Sequence, residues 1–134
     1  MKEYSFRVWN ILSKKMLSWG QIFNLPAWEI FPGTPEQRAF EVMQYTGLKD
    51  KNRKEIFESD IVKCVDKNSG IEFIAIVEFG NPNGEYNWGW QLRHIKGDKP
   101  NLDILLWVEM EDSGATCEVI GNIYENPELL NELK

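Results

Sequence analysis

From Tyr86 to Leu92, apolar residues alternate with polar or small ones, so Tyr86, Trp88, Trp90 and Leu92 share one face of an extended strand. The run Phe73-Ile74-Ala75-Ile76-Val77 is apolar on both faces and rich in branched residues, which predicts a central strand. Gly80-Asn81-Pro82-Asn83-Gly84 lies between the two and is turn chemistry, so the pair should form a hairpin. Asp60–Val65, Ile104–Val108 and Cys117–Tyr124 read as further strands, the last with Gly121 as a bend or bulge. Closely spaced strands with turn signals between them predict a small, partly open barrel across residues 45–125.

The first 44 residues are less regular. Tyr4 to Trp9 reads as a strand, and Ser13-Lys14-Lys15 as a polar turn leading to Met16 and Leu17. Pro26, Pro32 and Pro35 keep residues 20–35 out of a central sheet position. Thr34-Pro35-Glu36-Gln37 matches a helix start, but Phe40 to Thr46 has strand composition, so at most one helical turn precedes a strand. Asn126-Pro127-Glu128 caps a short helix through Leu133, with Leu129, Leu130 and Leu133 on one side. The expectation is a mainly β, single-domain chain over 1–134. It has an irregular β part (1–44), a barrel-like part (45–125) and a C-terminal helix (126–134).

Charge bounds the partners. The chain carries 15 basic and 21 acidic side chains, a net charge of −6, which repels a phosphate backbone at long range. The imbalance sits in the second half. No Lys or Arg occurs between Glu109 and Glu132, whereas Lys49, Lys51, Arg53 and Lys54 cluster around Asp50. Two cysteines, Cys64 and Cys117, lie in apolar runs and form no Cys-x-x-Cys motif, which fits a reducing cytosol. No signal-peptide pattern and no apolar run of membrane length is visible, so a cytoplasmic, non-membrane protein is expected.

Five segments fall in a known order: Phe6-Arg7-Val8-Trp9; Met43-Gln44-Tyr45-Thr46-Gly47-Leu48-Lys49-Asp50; Glu55-Ile56-Phe57-Glu58; Asp60-Ile61-Val62; and Glu118-Val119-Ile120-Gly121-Asn122-Ile123-Tyr124-Glu125-Asn126-Pro127-Glu128-Leu129. Together they resemble the YopX family of phage and prophage proteins from low-GC Gram-positive bacteria. The resemblance implies a β-rich fold with an SH3-like barrel portion, which the N-terminal strands, by the strand reading above, either extend or accompany as a second sheet. It supplies no catalytic residue. Two positions depart from the family pattern: Asn-Gly becomes Asn52-Arg53, and Glu-Gly-Asp becomes Glu58-Ser59-Asp60. Gly at such sites supplies positive φ without steric cost, which Arg resists, so the first turn is either of another type or strained. Asp60 is expected to accept backbone hydrogen bonds at its turn.

Catalytic chemistry has few parts to draw on. A zinc site would have to be built from Cys64, Cys117 and His94, none of which has a closely spaced partner. His94 is the sole imidazole, and neither a Gly-x-Ser-x-Gly elbow nor a Gly-Lys-Ser/Thr phosphate loop accompanies it. The acids around Glu109 and Glu111 read as a solvated turn. The expectation is a non-enzymatic module with no cofactor and no metal. Six tryptophans exceed what a small core buries comfortably, and aromatics outside the core favour interfaces. A homo-oligomer is therefore expected, with Trp28, Ile30 and Phe31 of the Pro-rich segment and the basic loop Lys49, Lys51, Arg53, Lys54 at the contact. A host or phage protein is a further partner class. The alternative is a nucleic-acid-binding small barrel that stacks bases on Tyr86, Trp88 and Trp90 beside nearby cations.

Overall fold

The computed structural model describes residues 6–18, 21, 40–80, 89–98, 100, 102, 104–108 and 114–133, and among these residues it forms eight strands and two short helices. The strands are β1 (Phe6–Asn10), β2 (Lys15–Leu17), β3 (Phe40–Lys49), β4 (Glu55–Phe57), β5 (Asp60–Asp66), β6 (Glu72–Gly80), β7 (Gly89–Gly97) and β8 (Ala115–Asn122). The helices are α1 (Leu105–Val108) and α2 (Pro127–Leu133). Two four-stranded antiparallel sheets form, in the orders β2-β1-β3-β4 and β7-β6-β5-β8. One of the sheets curls into a half-barrel, so the fold is mainly β with a short C-terminal helix. Among the described residues, no helix is long and apolar enough to cross a membrane.

The apolar pattern explains the second sheet. Val62 and Cys64 of β5 face the same way as Phe73, Ala75 and Val77 of β6, and all five are buried in one cluster with Leu92 and Cys117. Leu102, Ile104 and Trp107 cover that face, and the Trp107 ring meets Phe73 edge-on at 4.9 Å. Ile61 and Ile76 pair across β5 and β6 on the opposite face and are buried too. A strand apolar on both faces is thus a strand covered on both. Each large side chain so buried contributes about 1.5–3 kcal/mol.

The β6–β7 hairpin forms with Gly80 opposite Gly89. β7 runs on to Gly97, beyond the expected end at Leu92, and its connection to β6 lies outside the described residues. Gly121 marks a bulge: Ile61 pairs with Gly121 and Val62 with Val119, so Ile120 has no opposite number. A Cβ at Gly121 would lie 2.6 Å from the Asn126 Oδ1. That oxygen accepts the Asn122 N–H at 3.1 Å, so the expected helix cap turns back to close the end of β8.

One expectation is corrected. Ile104–Val108 is not a strand: Leu105–Val108 form a single helical turn. Trp107 and Val108 both donate backbone N–H bonds to the Ile104 carbonyl, at 3.0 and 3.1 Å. A fully apolar run has no period to distinguish the two states, so tertiary packing decides. The preceding residue Leu102 accepts the Leu92 N–H at 2.9 Å, which covers part of the edge of β7.

The two sheets are joined through a buried ion pair. Arg7 of β1 donates from Nη2 to Asp60 Oδ1 of β5 at 2.6 Å, and Asp60 is 1% exposed. Asp60 Oδ2 accepts the Phe57 N–H at 2.8 Å, as the turn expectation required. The guanidinium also reaches the Glu58 carbonyl at 3.3 Å and sits 4.8 Å over the Phe57 ring. Burial raises the Asp60 carboxyl above its ordinary value, with Arg7 and the Phe57 N–H pulling it back. Beside it, burial raises the Glu58 carboxyl and the Tyr124 hydroxyl as well. Tyr124, in the turn that follows β8, stacks on Trp9 of β1 at 5.8 Å.

Candidate functional site

The basic loop between β3 and β4 is held from inside by one carboxylate. Asp50 Oδ1 accepts the Asn52 and Lys54 N–H groups at 2.8 and 2.9 Å, folding the loop onto itself. Asp50 Oδ2 accepts the Val119 N–H at 2.9 Å, and Lys51 N–H donates to the Cys117 carbonyl at 2.9 Å. Strand β8 is the outer strand of its sheet, and these are backbone groups that point away from β5. The loop therefore occupies a stretch of open sheet edge, with a carboxylate standing in for a neighbouring strand's carbonyl. Asp50 is 7% exposed, the only buried member of a run whose other residues, Lys49 to Lys54, are exposed.

A cleft of about 510 Å³ opens beside this loop. Lys49, Asp50, Lys51 and Arg53 line one side, and Trp107, Val108, Ala115, Thr116 and Cys117 the other. Lys51 pairs with Glu118 of its own chain at 3.1 Å. Among the described residues, no carboxylate lies within salt-bridge distance of Lys49, Arg53 or Lys54. The structure thus brings Lys49, Lys51 and Arg53 together at the cleft, with Lys51 paired to Glu118, whereas Lys54 lies outside the lining and its charge acts on Asp60.

The other candidates fare differently. Trp28, Ile30, Phe31, Tyr86 and Trp88 lie outside the described residues. Trp90 packs against the core cluster and meets the exposed Phe79 edge-on at 5.1 Å, so it is partly withdrawn from a stacking face. His94 Nε2 lies 2.9 Å from the Gly97 carbonyl, a bond within its own strand end. Cys64 and Cys117 are both free and buried, and no group of three metal-ligating side chains occurs among the described residues. Sequence reading missed Asp50 and Arg7 as organising residues. The signal for Asp50 was its position as the lone acid among four cations.

A model of the YopX protein family matches residues 5–131. The chain belongs to the YopX family. A crystal structure of protein EF1440 from Enterococcus faecalis is similar to it, with 22% sequence identity and a TM-score of 0.57. The alignment covers 97% of this chain and 99% of that one, and the likeness is one of fold. No curated protein matches.

Both departures from the YopX glycine pattern keep the backbone that glycine favours: Arg53 sits at φ 64° and Ser59 at φ 73°. A non-glycine residue in this region costs about 1–2 kcal/mol, and glycine returns part of the gain through unfolded-state entropy. Arg53→Gly should therefore stabilise this YopX-family chain by about 0.5–1 kcal/mol in urea unfolding. Ser59→Gly removes the same positive-φ cost and should stabilise by a similar amount. A drop in the urea midpoint for Arg53→Gly would show that the loop does not carry this strain.

Proposed function

We propose that this chain is a non-enzymatic interaction module of the bacterial cytoplasm, acting in a phage or prophage context, that assembles with copies of itself. The observation that supports the reading is Lys49 and Arg53, which line the cleft with no carboxylate at salt-bridge distance among the described residues, in a chain of net charge −6. The complementary surface on a second copy is the acidic C-terminal part, where Glu125 and Glu128 are exposed at the start of α2. Attraction of this kind steers and orients partners more than it tightens them. The apolar share of the contact falls to exposed groups such as Leu12, 83% exposed, and Phe79, 64% exposed. A host or phage protein with an acidic face would meet the same cations. Nucleic acid is less well served, since Trp90 packs inward.

Light scattering at micromolar concentration tests this. An assembly larger than one chain is expected in low salt, shifting toward monomer near 1 M NaCl, where the screening length falls to about 3 Å. Joint substitution Lys49→Glu, Arg53→Glu and Lys54→Glu should produce the same shift in low salt. A monomer under all conditions, or a mass that ignores both salt and charge reversal, would overturn the proposal.

A further inference from the structure

The basic cleft leads to a pair of thiols. Cys64 of β5 and Cys117 of β8 are direct cross-strand partners. The Cys117 carbonyl and the Val119 N–H both point outward to the loop, so Cys117 turns its backbone groups away from β5. Cys64 and Cys117 are therefore a non-hydrogen-bonded pair, the kind whose Cα atoms approach to about 4.5 Å with side chains close together. That separation lies within the roughly 4.4–6.8 Å span of disulfides. Ala115, Thr116 and Cys117 line the cleft in succession along the outer edge of β8, so the cleft reaches the strand segment that carries Cys117, itself 2% exposed.

We propose that Cys64 and Cys117 form a peroxide-sensitive dithiol, in which Cys117 is attacked first from the cleft and Cys64 resolves it to an intramolecular disulfide. Cys117 sulfur attacks one peroxide oxygen, and the O–O bond breaks. A sulfenic acid forms on Cys117, and the first water leaves with the thiol proton. Cys64 sulfur then attacks Cys117 sulfur. The S–O bond breaks, an S–S bond forms, and the second water leaves with the Cys64 proton. Two thiols lose two electrons, and one hydrogen peroxide becomes two waters. The neighbouring Cys117 thiol and burial push the Cys64 thiol up, so the resolving step is slow compared with that of an activated cysteine.

The test treats the folded wild-type chain with hydrogen peroxide, quenches it, and alkylates it in denaturant before intact-mass measurement. Untreated protein should take two alkyl groups. Oxidised protein should take none and weigh about 2 Da less, and a reductant should restore both sites. In Cys64→Ser, dimedone should label Cys117, whereas in Cys117→Ser it should leave Cys64 unlabelled. Retention of both thiols at peroxide levels that already oxidise methionine would overturn the proposal. So would disulfides that form only between chains. An oxidation rate that climbs with urea in step with unfolding would sink the access route through the cleft. The wild-type measurements decide the matter even where a variant fails to fold.

Discussion

Arg7→Met should cost about 3–5 kcal/mol of unfolding free energy at pH 7, because it leaves a buried carboxylate without its counter-charge. Asp60 is almost fully enclosed, and with Arg7 gone it keeps the hydrogen bond from the Phe57 N–H. Methionine fills much of the space of the arginine stem, so the loss is mainly of charge and hydrogen bonding rather than of volume. The deficit should depend on pH in a fixed direction. The Asp60 carboxyl is already raised by burial, and Arg7 is the largest influence lowering it, so removing Arg7 raises it further. A carboxyl with a raised native value stabilises the fold fully below its unfolded value near 3.8 and loses that contribution as pH rises through the native value. The Arg7→Met deficit should therefore be smaller at pH 5 than at pH 7. Adding Asp60→Asn, which keeps an acceptor for Phe57 but removes the charge, should recover about half or more of the loss. The Arg7 Nε has no hydrogen-bond partner and is buried, a cost within the native pair that makes this recovery larger. Urea unfolding of the two single variants and the double variant at both pH values gives the cycle. Equal deficits at pH 5 and 7, or no recovery in the double variant, would show that the pair does not work this way.

The elements that were readable from sequence are those whose pattern is local. β6 announces itself by apolar residues at both phases of a two-residue period, and the structure buries both of its faces. The hairpin of β1 and β2 follows from a polar turn, and α2 from Asn126-Pro127. What was not readable is set by distant partners. Ile104–Val108 has no period at all, so its helical turn was settled by the surface it covers. Arg7 meets Asp60 across 53 residues of sequence, and Asp50 meets Val119 across 69. No spacing rule connects such positions. The site shows the same division. The cation cluster is contiguous and was legible, whereas the carboxylate that shapes it looked like one more solvated charge. The thiol pair needed the register of β5 on β8 before its geometry could be seen.

Asp50 is where fold and proposed site are most tightly joined, and Asp50→Ala should destabilise the chain by about 3–4 kcal/mol. The substitution removes the acceptor of three backbone N–H groups at once: Asn52 and Lys54 in the loop and Val119 on β8. Bonds to a charged acceptor are worth about 1.5–3 kcal/mol each, but water can reach the two loop donors, so the sum is not fully additive. Asp50→Asn should cost nearly as much, since an amide offers one acceptor oxygen and must turn its NH₂ toward either the loop donors or Val119. Hydrogen exchange separates this account from a general loss of stability. Val119, Asn52 and Lys54 amides should lose protection beyond the global change, while amides of β6 should track it. The freed edge of β8 should also raise aggregation on heating, because its outward backbone groups become available to another strand. Finally, Asp50→Ala leaves Lys49, Arg53 and Lys54 in place but releases the loop that aligns them. If their arrangement rather than their number drives assembly, this variant should dissociate at lower salt than wild type even at temperatures where it is fully folded. Unchanged protection at Val119 would remove the edge-closing role, and unchanged salt dependence would leave the loop's shape irrelevant to assembly.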